Sequence, residues 1–112
     1  MKIFHNPRCR KSRETLNLIT EAGVEPEIVE YLRVPISARE ISEILVKLDM
    51  KPLELIRKSE AIYKSNYKGK ELTDEQWIQV MVENPILIER PIVIKGDKAV
   101  VGRPPENVNT LL

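Results

Sequence analysis

Residues 1–31, MKIFHNPRCRKSRETLNLITEAGVEPEIVEY, decide the fold. Met1–Phe4 is a short apolar run of strand length; Asn6-Pro7 breaks it, and Pro7 disfavours helix at the residue before it. From about Arg10 the spacing predicts a helix: Leu16, Ile19 and, more weakly, Ala22 share a face, and Gly23 is a good stop just past the end. Glu27–Tyr31 is the next strand candidate. Strand, helix and strand within about 30 residues make a βαβ unit, whose two strands lie parallel.

Outward from that unit the pattern turns helical. Ser37 and Glu40 have capping-box spacing ahead of Ile41, Ile44, Leu45 and Leu48. Pro52 suits the first turn of a short helix through Ile56. Thr73 and Gln76 repeat the capping box ahead of Trp77, Val80 and Met81, and Asn84-Pro85 ends that helix. Asn66–Lys70 is polar and reads as a surface loop. After Pro85 the pattern is β: Pro91–Lys95 and Lys98–Val101 flank Gly96-Asp97, a two-residue loop suited to a type II′ hairpin. Gly102 closes the hairpin, and Pro104-Pro105 opens a last short helix toward Leu112. The expected fold class is α/β. A four-stranded mixed sheet holds a helical insertion, at about 37–84, between the βαβ unit and the C-terminal β-hairpin. All of it lies in one domain over 1–112.

The chain has 112 residues, enough for one core and too few for two independent ones. A single cysteine, Cys9, excludes an internal disulfide framework and a multi-cysteine zinc site. No apolar run nears the ~20 residues of a bilayer span. The polar, basic stretch after MKIF is not a signal peptide. The expected compartment is therefore the cytoplasm, where a lone thiol stays reduced.

The net charge of +1 is unevenly spread. Lys2, Arg8, Arg10, Lys11 and Arg13 give the first thirteen residues a charge of +5 with no acid, and the rest of the chain is net acidic. Such a chain is no general nucleic-acid binder. Its positive charge gathers around its only cysteine.

Cys9 falls in the turn between the first strand and the first helix. Free backbone N–H groups and the positive end of the helix dipole favour an anion there. The basic loop adds cations, so a depressed thiol pKa and a nucleophilic thiolate are expected. Ser12 completes a C-x-x-S spacing and cannot resolve a mixed disulfide as a second cysteine does, so a redox cycle at Cys9 needs an external thiol. His5, at the strand end, is placed to act on the thiolate directly or through a network. Arg90 and Arg103 flank the two open ends of the hairpin and should be neighbours, and Arg57 ends the short helix after Pro52. Guanidinium groups near a thiolate suit a tetrahedral oxyanion. Each of these residues has an ordinary alternative: a core histidine, a helix-capping serine, or arginines that fork onto Glu89 or Glu106.

His5-Asn6-Pro7-Arg8-Cys9-Arg10-Lys11-Ser12-Arg13, Leu55-Ile56-Arg57, Glu89-Arg90-Pro91-Ile92-Val93 and Gly102-Arg103-Pro104 together resemble the glutaredoxin-coupled arsenate reductase (ArsC) family, in order and almost end to end. The resemblance implies a thioredoxin-like fold, with Cys9 as nucleophile and His5 and Ser12 beside it in the catalytic set. It also implies that Arg57, Arg90 and Arg103 bind the oxyanion and that Pro91 is the cis-proline next to the cysteine. The implied reaction is reduction of arsenate through a thiolate adduct. Glutathione acts as co-substrate and glutaredoxin as partner, with no bound cofactor and no metal, and a monomer is expected. The loop departs from the family pattern at Arg8, Arg10 and Lys11, where the best-understood members carry small uncharged residues. Two other functions stay open: a non-catalytic regulator similar to the Spx type that binds RNA polymerase, and a monothiol oxidoreductase acting on glutathione mixed disulfides.

Overall fold

Pro7 stops the first strand, β1 (Lys2–Phe4), and thereby limits its parallel partner, β2 (Glu27–Val29). The pairing ends at Phe4 opposite Val29, with one further bond from His5 N–H to the Val29 carbonyl at 2.8 Å. β2 is therefore shorter than the expected Glu27–Tyr31: beyond Val29 the ladder has no partner to pair with. Between the two runs α1 (Arg10–Glu21). Gly23 takes φ +82° and closes a Schellman motif, with Gly23 N–H on the Thr20 carbonyl and Val24 N–H on the Ile19 carbonyl.

The computed structural model describes residues 1–112 and groups them into two compact units, Met1–Val34 with Arg90–Leu112, and Pro35–Glu89. In the first unit the sheet order is β2-β1-β3-β4, where β3 is Ile92–Lys95 and β4 is Lys98–Val101. β1 pairs antiparallel with β3, and β3 with β4, so the sheet is mixed as expected. Gly96 has φ +61° and Asp97 stays at negative φ, the sign pattern of a type II′ turn. Ile3 and Val93 are register partners and pack with Ile19, Val108 and Leu111 into one buried cluster. One face of the sheet is thus covered by α1 and the closing segment. That segment, Pro105–Leu111, is a 3₁₀ helix, in keeping with its short run and proline start.

The second unit carries α2 (Ala38–Leu48), α3 (Pro52–Leu55), α4 (Ala61–Asn66) and α5 (Asp74–Glu83), followed by a 3₁₀ turn at Pro85–Leu87. Ser37 Oγ accepts the Glu40 N–H at 3.1 Å, so the first capping pair is made in one direction. Thr73 and Gln76 cap reciprocally, at 3.2 and 2.8 Å. Trp77 packs between Tyr63 and Tyr67, with ring centroids 6.3 and 6.2 Å away. The Asn66–Lys70 loop therefore contributes an aromatic anchor as well as polar surface. Ile56 and Ile88 form an antiparallel bridge, flanked by Arg57 N–H on the Leu87 carbonyl and Glu89 N–H on the Leu55 carbonyl. No helix of the chain is long and apolar enough to cross a membrane.

Candidate active site

Cys9 is the N-cap residue of α1, in extended conformation (φ −92°, ψ 122°). Its N–H donates to the Asn6 carbonyl and its carbonyl accepts from Arg13 N–H, both at 3.0 Å. The turn made by Asn6-Pro7 and the first turn of α1 thus hold the residue from both sides. The cysteine is 7% exposed. Burial alone raises a thiol pKa, but it is outweighed here. The backbone N–H of Ser12 and the side chain of Arg90 favour the anionic sulfur, and the charges of Arg90 and Arg103 add to both. The net result is a thiol that ionises below its ordinary range.

Arg103 Nη2 donates to Cys9 Sγ at 3.5 Å while its Nε donates to the Arg90 carbonyl at 2.8 Å. The hairpin brings these two arginines together: Ile92 pairs with Val101, and Gly102 N–H donates to the Pro91 carbonyl at 2.9 Å. The Arg90–Pro91 and Arg103–Pro104 peptide bonds are both cis. Gly102 lies against α1, where a β-carbon would come within 2.5 Å of Thr15 Oγ1 and 2.8 Å of Pro91 Cγ. The absence of a side chain there lets the hairpin exit approach the helix that carries the thiol.

The cations of the basic loop act differently from the expectation. Arg10 pairs with Glu14 at 2.8 Å on the exposed side of α1, and Arg13 Nη1 donates to the Pro7 carbonyl at 2.9 Å. The guanidinium groups that lower the Cys9 pKa are Arg90 and Arg103, eighty and more residues further along the chain. Ser12 is fully buried, and its hydroxyl accepts the Asn6 N–H at 3.0 Å and lies 2.6 Å from His5 Nδ1. His5, 6% exposed, titrates below its usual value. Burial disfavours its cation most, Glu30 partly offsets this, and Arg13 adds to the lowering. A neutral imidazole near pH 7 follows.

Arg57 belongs to the second unit, where its Nε lies 3.3 Å from Glu60 and its Nη1 3.8 Å from Glu89. It sits between two carboxylates, one of them the Glu89 named as its ordinary alternative. Two buried polar residues of the site escaped the sequence reading. Asn6 accepts the Arg8 N–H on its Oδ1 at 3.0 Å, besides its bonds to Cys9 and Ser12. Thr15 Oγ1 donates to the Lys11 carbonyl at 2.8 Å and lies 3.4 Å from the Gly102 carbonyl. Their signals were an asparagine before proline, which favours a turn closed on its own side chain, and Ser12 and Thr15 on the same face of α1 as Ile19. No three His, Cys, Asp or Glu side chains gather as metal ligands do.

The family model described as ArsC family matches residues 4–111. The chain is 53% identical over 110 residues to the uncharacterized protein YfgD of Escherichia coli (strain K12), covering 96% of this chain and 92% of that one. It is 43% identical over 112 residues to an arsenate reductase of Haemophilus influenzae, covering 98% and 97%. The solved structure of an arsenate reductase from Vibrio cholerae superposes with a TM-score of 0.95 at 39% identity, covering 99% of this chain and 96% of that one.

Proposed function

The chain belongs to the ArsC family and has its thioredoxin-like α/β fold, and on that premise we propose that it reduces arsenate to arsenite through the Cys9 thiolate, with glutathione as co-substrate and glutaredoxin as the partner that restores the cysteine. The observation that carries the reading is the pair of guanidinium groups on the nucleophile: Arg103 Nη2 at 3.5 Å from Cys9 Sγ, with Arg90 beside it.

The chemistry follows from that geometry. The thiolate attacks arsenic, an S–As bond forms, and an arsenate oxygen departs as water after taking up protons. The oxyanion carries its charge on oxygens that guanidinium groups hold and neutralise, which favours the crowded anionic transition state over two separated anions. The thiol of glutathione then supplies the second sulfur. Arsenic(V) gains two electrons and leaves as arsenite, the two thiols lose two as the Cys9–glutathione disulfide, and water is the only other product. Glutaredoxin takes the glutathionyl group by thiol–disulfide exchange and frees Cys9. Ser12 and His5 keep the loop in register, and the backbone N–H of Ser12 at the helix start favours the sulfur anion.

Arg57 enters as the third oxyanion ligand on the strength of the family resemblance. In that role it gives up part of its pairing with Glu60 and Glu89 to the substrate. The reading has the protein working as a monomer in the cytoplasm, in the presence of both thiol partners. Purified protein given arsenate, glutathione, glutaredoxin and a recycling system is expected to produce arsenite. Turnover no higher than that of Cys9→Ser overturns the proposal, and arsenate-independent deglutathionylation in the same assay points to a general monothiol oxidoreductase instead.

A further inference from the structure

A pocket of about 480 Å³ opens beside the nucleophile loop, on the side of β2 rather than of the hairpin. Its floor is the buried pair His5 and Asn6, its rim is Arg8, Glu30 and Arg33, and Leu32 gives it an apolar wall. None of its polar groups belongs to the machinery that holds Arg90 and Arg103 on the sulfur. Lys2–Glu27 and Arg10–Glu14 are ion pairs of this unit, whereas the rim residues Arg8, Glu30 and Arg33 take part in no ion pair. Loop cations normally find a carboxylate or a carbonyl, as Arg10 and Arg13 do here. Two unpaired guanidinium groups and one unpaired carboxylate around a concave floor instead present a complement to a ligand.

The chemistry of that ligand is readable from the rim. A planar guanidinium fork matches a carboxylate, and two of them flanking one pocket fix its position. The Glu30 carboxylate on the same rim accepts from an ammonium or a peptide N–H. The exposed Leu32 offers methylene contact. A small peptide carrying a free carboxylate meets all three. Arg8 directly precedes Cys9 in the chain, so the rim begins one residue, ~3.8 Å along the backbone, from the nucleophile. A tripeptide spans roughly 10 Å when extended, enough to anchor at the rim and bring a central sulfur toward Cys9.

We propose that this pocket docks the thiol co-substrate, with a carboxylate of glutathione held by Arg8 and Arg33 and an N–H of glutathione held by Glu30. The inference rests on the reading of the protein as a glutathione-using reductase, and it adds where that thiol sits and which residues select it. Arsenate then meets Cys9 from the arginine side, and the thiol approaches from the β2 side, so the two reactants do not compete for one set of cations.

The test uses the whole protein and S-methylglutathione, which cannot exchange with Cys9. Titration into isotopically labelled protein is expected to shift the amide signals of residues 6–8 and 30–33. Arg33→Ala and Glu30→Gln are each expected to weaken binding roughly three- to tenfold, the scale of one charge-assisted contact at an exposed rim. In turnover, the same two variants raise the KM for glutathione by a similar factor and leave the KM for arsenate and the pH midpoint of Cys9 alkylation unchanged. Shifts confined to other residues overturn the proposal, as does an Arg33→Ala enzyme with an unaltered KM for glutathione. Inorganic phosphate producing the same shifts at the same concentration also overturns it, since the rim then recognises any anion. If S-methylglutathione binds here but no arsenite forms in the complete assay, the docking site stands and the arsenate reading falls. If arsenite forms and the variants behave as wild type, the reverse holds.

Discussion

The Ser12 hydroxyl lies 2.6 Å from His5 Nδ1, and this bond, with the Asn6 N–H at 3.0 Å, occupies the hydroxyl that a C-x-x-S spacing would offer the thiol. Ser12 favours the thiolate through its backbone N–H at the helix start and not through its hydroxyl. The side chain at this position therefore ties the strand end to the helix start, and the peptide group stabilises the thiolate.

Ser12→Ala separates these two contributions. The substitution leaves the His5 ring nitrogen and the Asn6 N–H unpaired in a buried site, a loss of about 1–3 kcal/mol in unfolding free energy. The backbone N–H survives, so the pH midpoint of Cys9 alkylation is expected to move little. A denaturant titration and an alkylation–pH profile of the same variant check both halves.

Arg103→Ala should behave in the opposite way. The guanidinium is only part-buried, so stability changes little, but the thiolate loses a close cation and the alkylation midpoint rises by roughly one pH unit, the lower end of what one adjacent charge does. Arg90→Ala is expected to act in the same direction, since Arg90 contributes both a hydrogen bond and a charge. In wild-type protein the midpoint is expected below that of a free cysteine. A midpoint at the ordinary ~8.5 for wild type removes the basis of the activated thiolate.

Much of this architecture was written in local signals. Gly23 closes α1, Gly96-Asp97 turns the hairpin, and Thr73 with Gln76 caps α5, each through bonds that reach no further than a few residues. α4 was missed because six residues with one buried anchor, Tyr63, carry too little periodicity to register. The site was half visible. Charge counted along the chain pointed to Arg8, Arg10, Lys11 and Arg13, but which cation faces a sulfur depends on side-chain direction. α1 turns Arg10 outward to Glu14, while the hairpin exit turns Arg103 inward. Neighbourhood of Arg90 and Arg103 could be read from hairpin topology; their direction toward Cys9 could not.

Arg57 can be tested for the role that resemblance suggests against the one its surroundings give it. Its part-buried pairs with Glu60 and Glu89 contribute on the order of 1 kcal/mol to stability, as pairs that still see solvent do. Arg57→Lys keeps the charge and loses the fork. If Arg57 binds the oxyanion, this variant raises the KM for arsenate severalfold while its unfolding midpoint stays near wild type. A loss of stability with an unchanged KM confines Arg57 to pairing Glu60 and Glu89.

His5 makes the protein sensitive to acid. Its folded-state pKa lies below the ordinary 6.5, chiefly because burial disfavours the imidazolium, with Arg13 adding to the effect and Glu30 opposing it. Between that lowered value and 6.5 the unfolded chain binds more protons than the folded one, so folding stability rises with pH across the window and falls as pH drops through it. Chemical unfolding is therefore expected to become easier as the pH is lowered below about 6.5. His5→Gln has no proton to take up and still offers the Ser12 hydroxyl a polar partner. Its stability should be lower at pH 7.5 and flatter toward acid than wild type. Parallel slopes for the two proteins between pH 7.5 and 5 mean that another group carries the acid sensitivity and that His5 is not the residue resisting its charge.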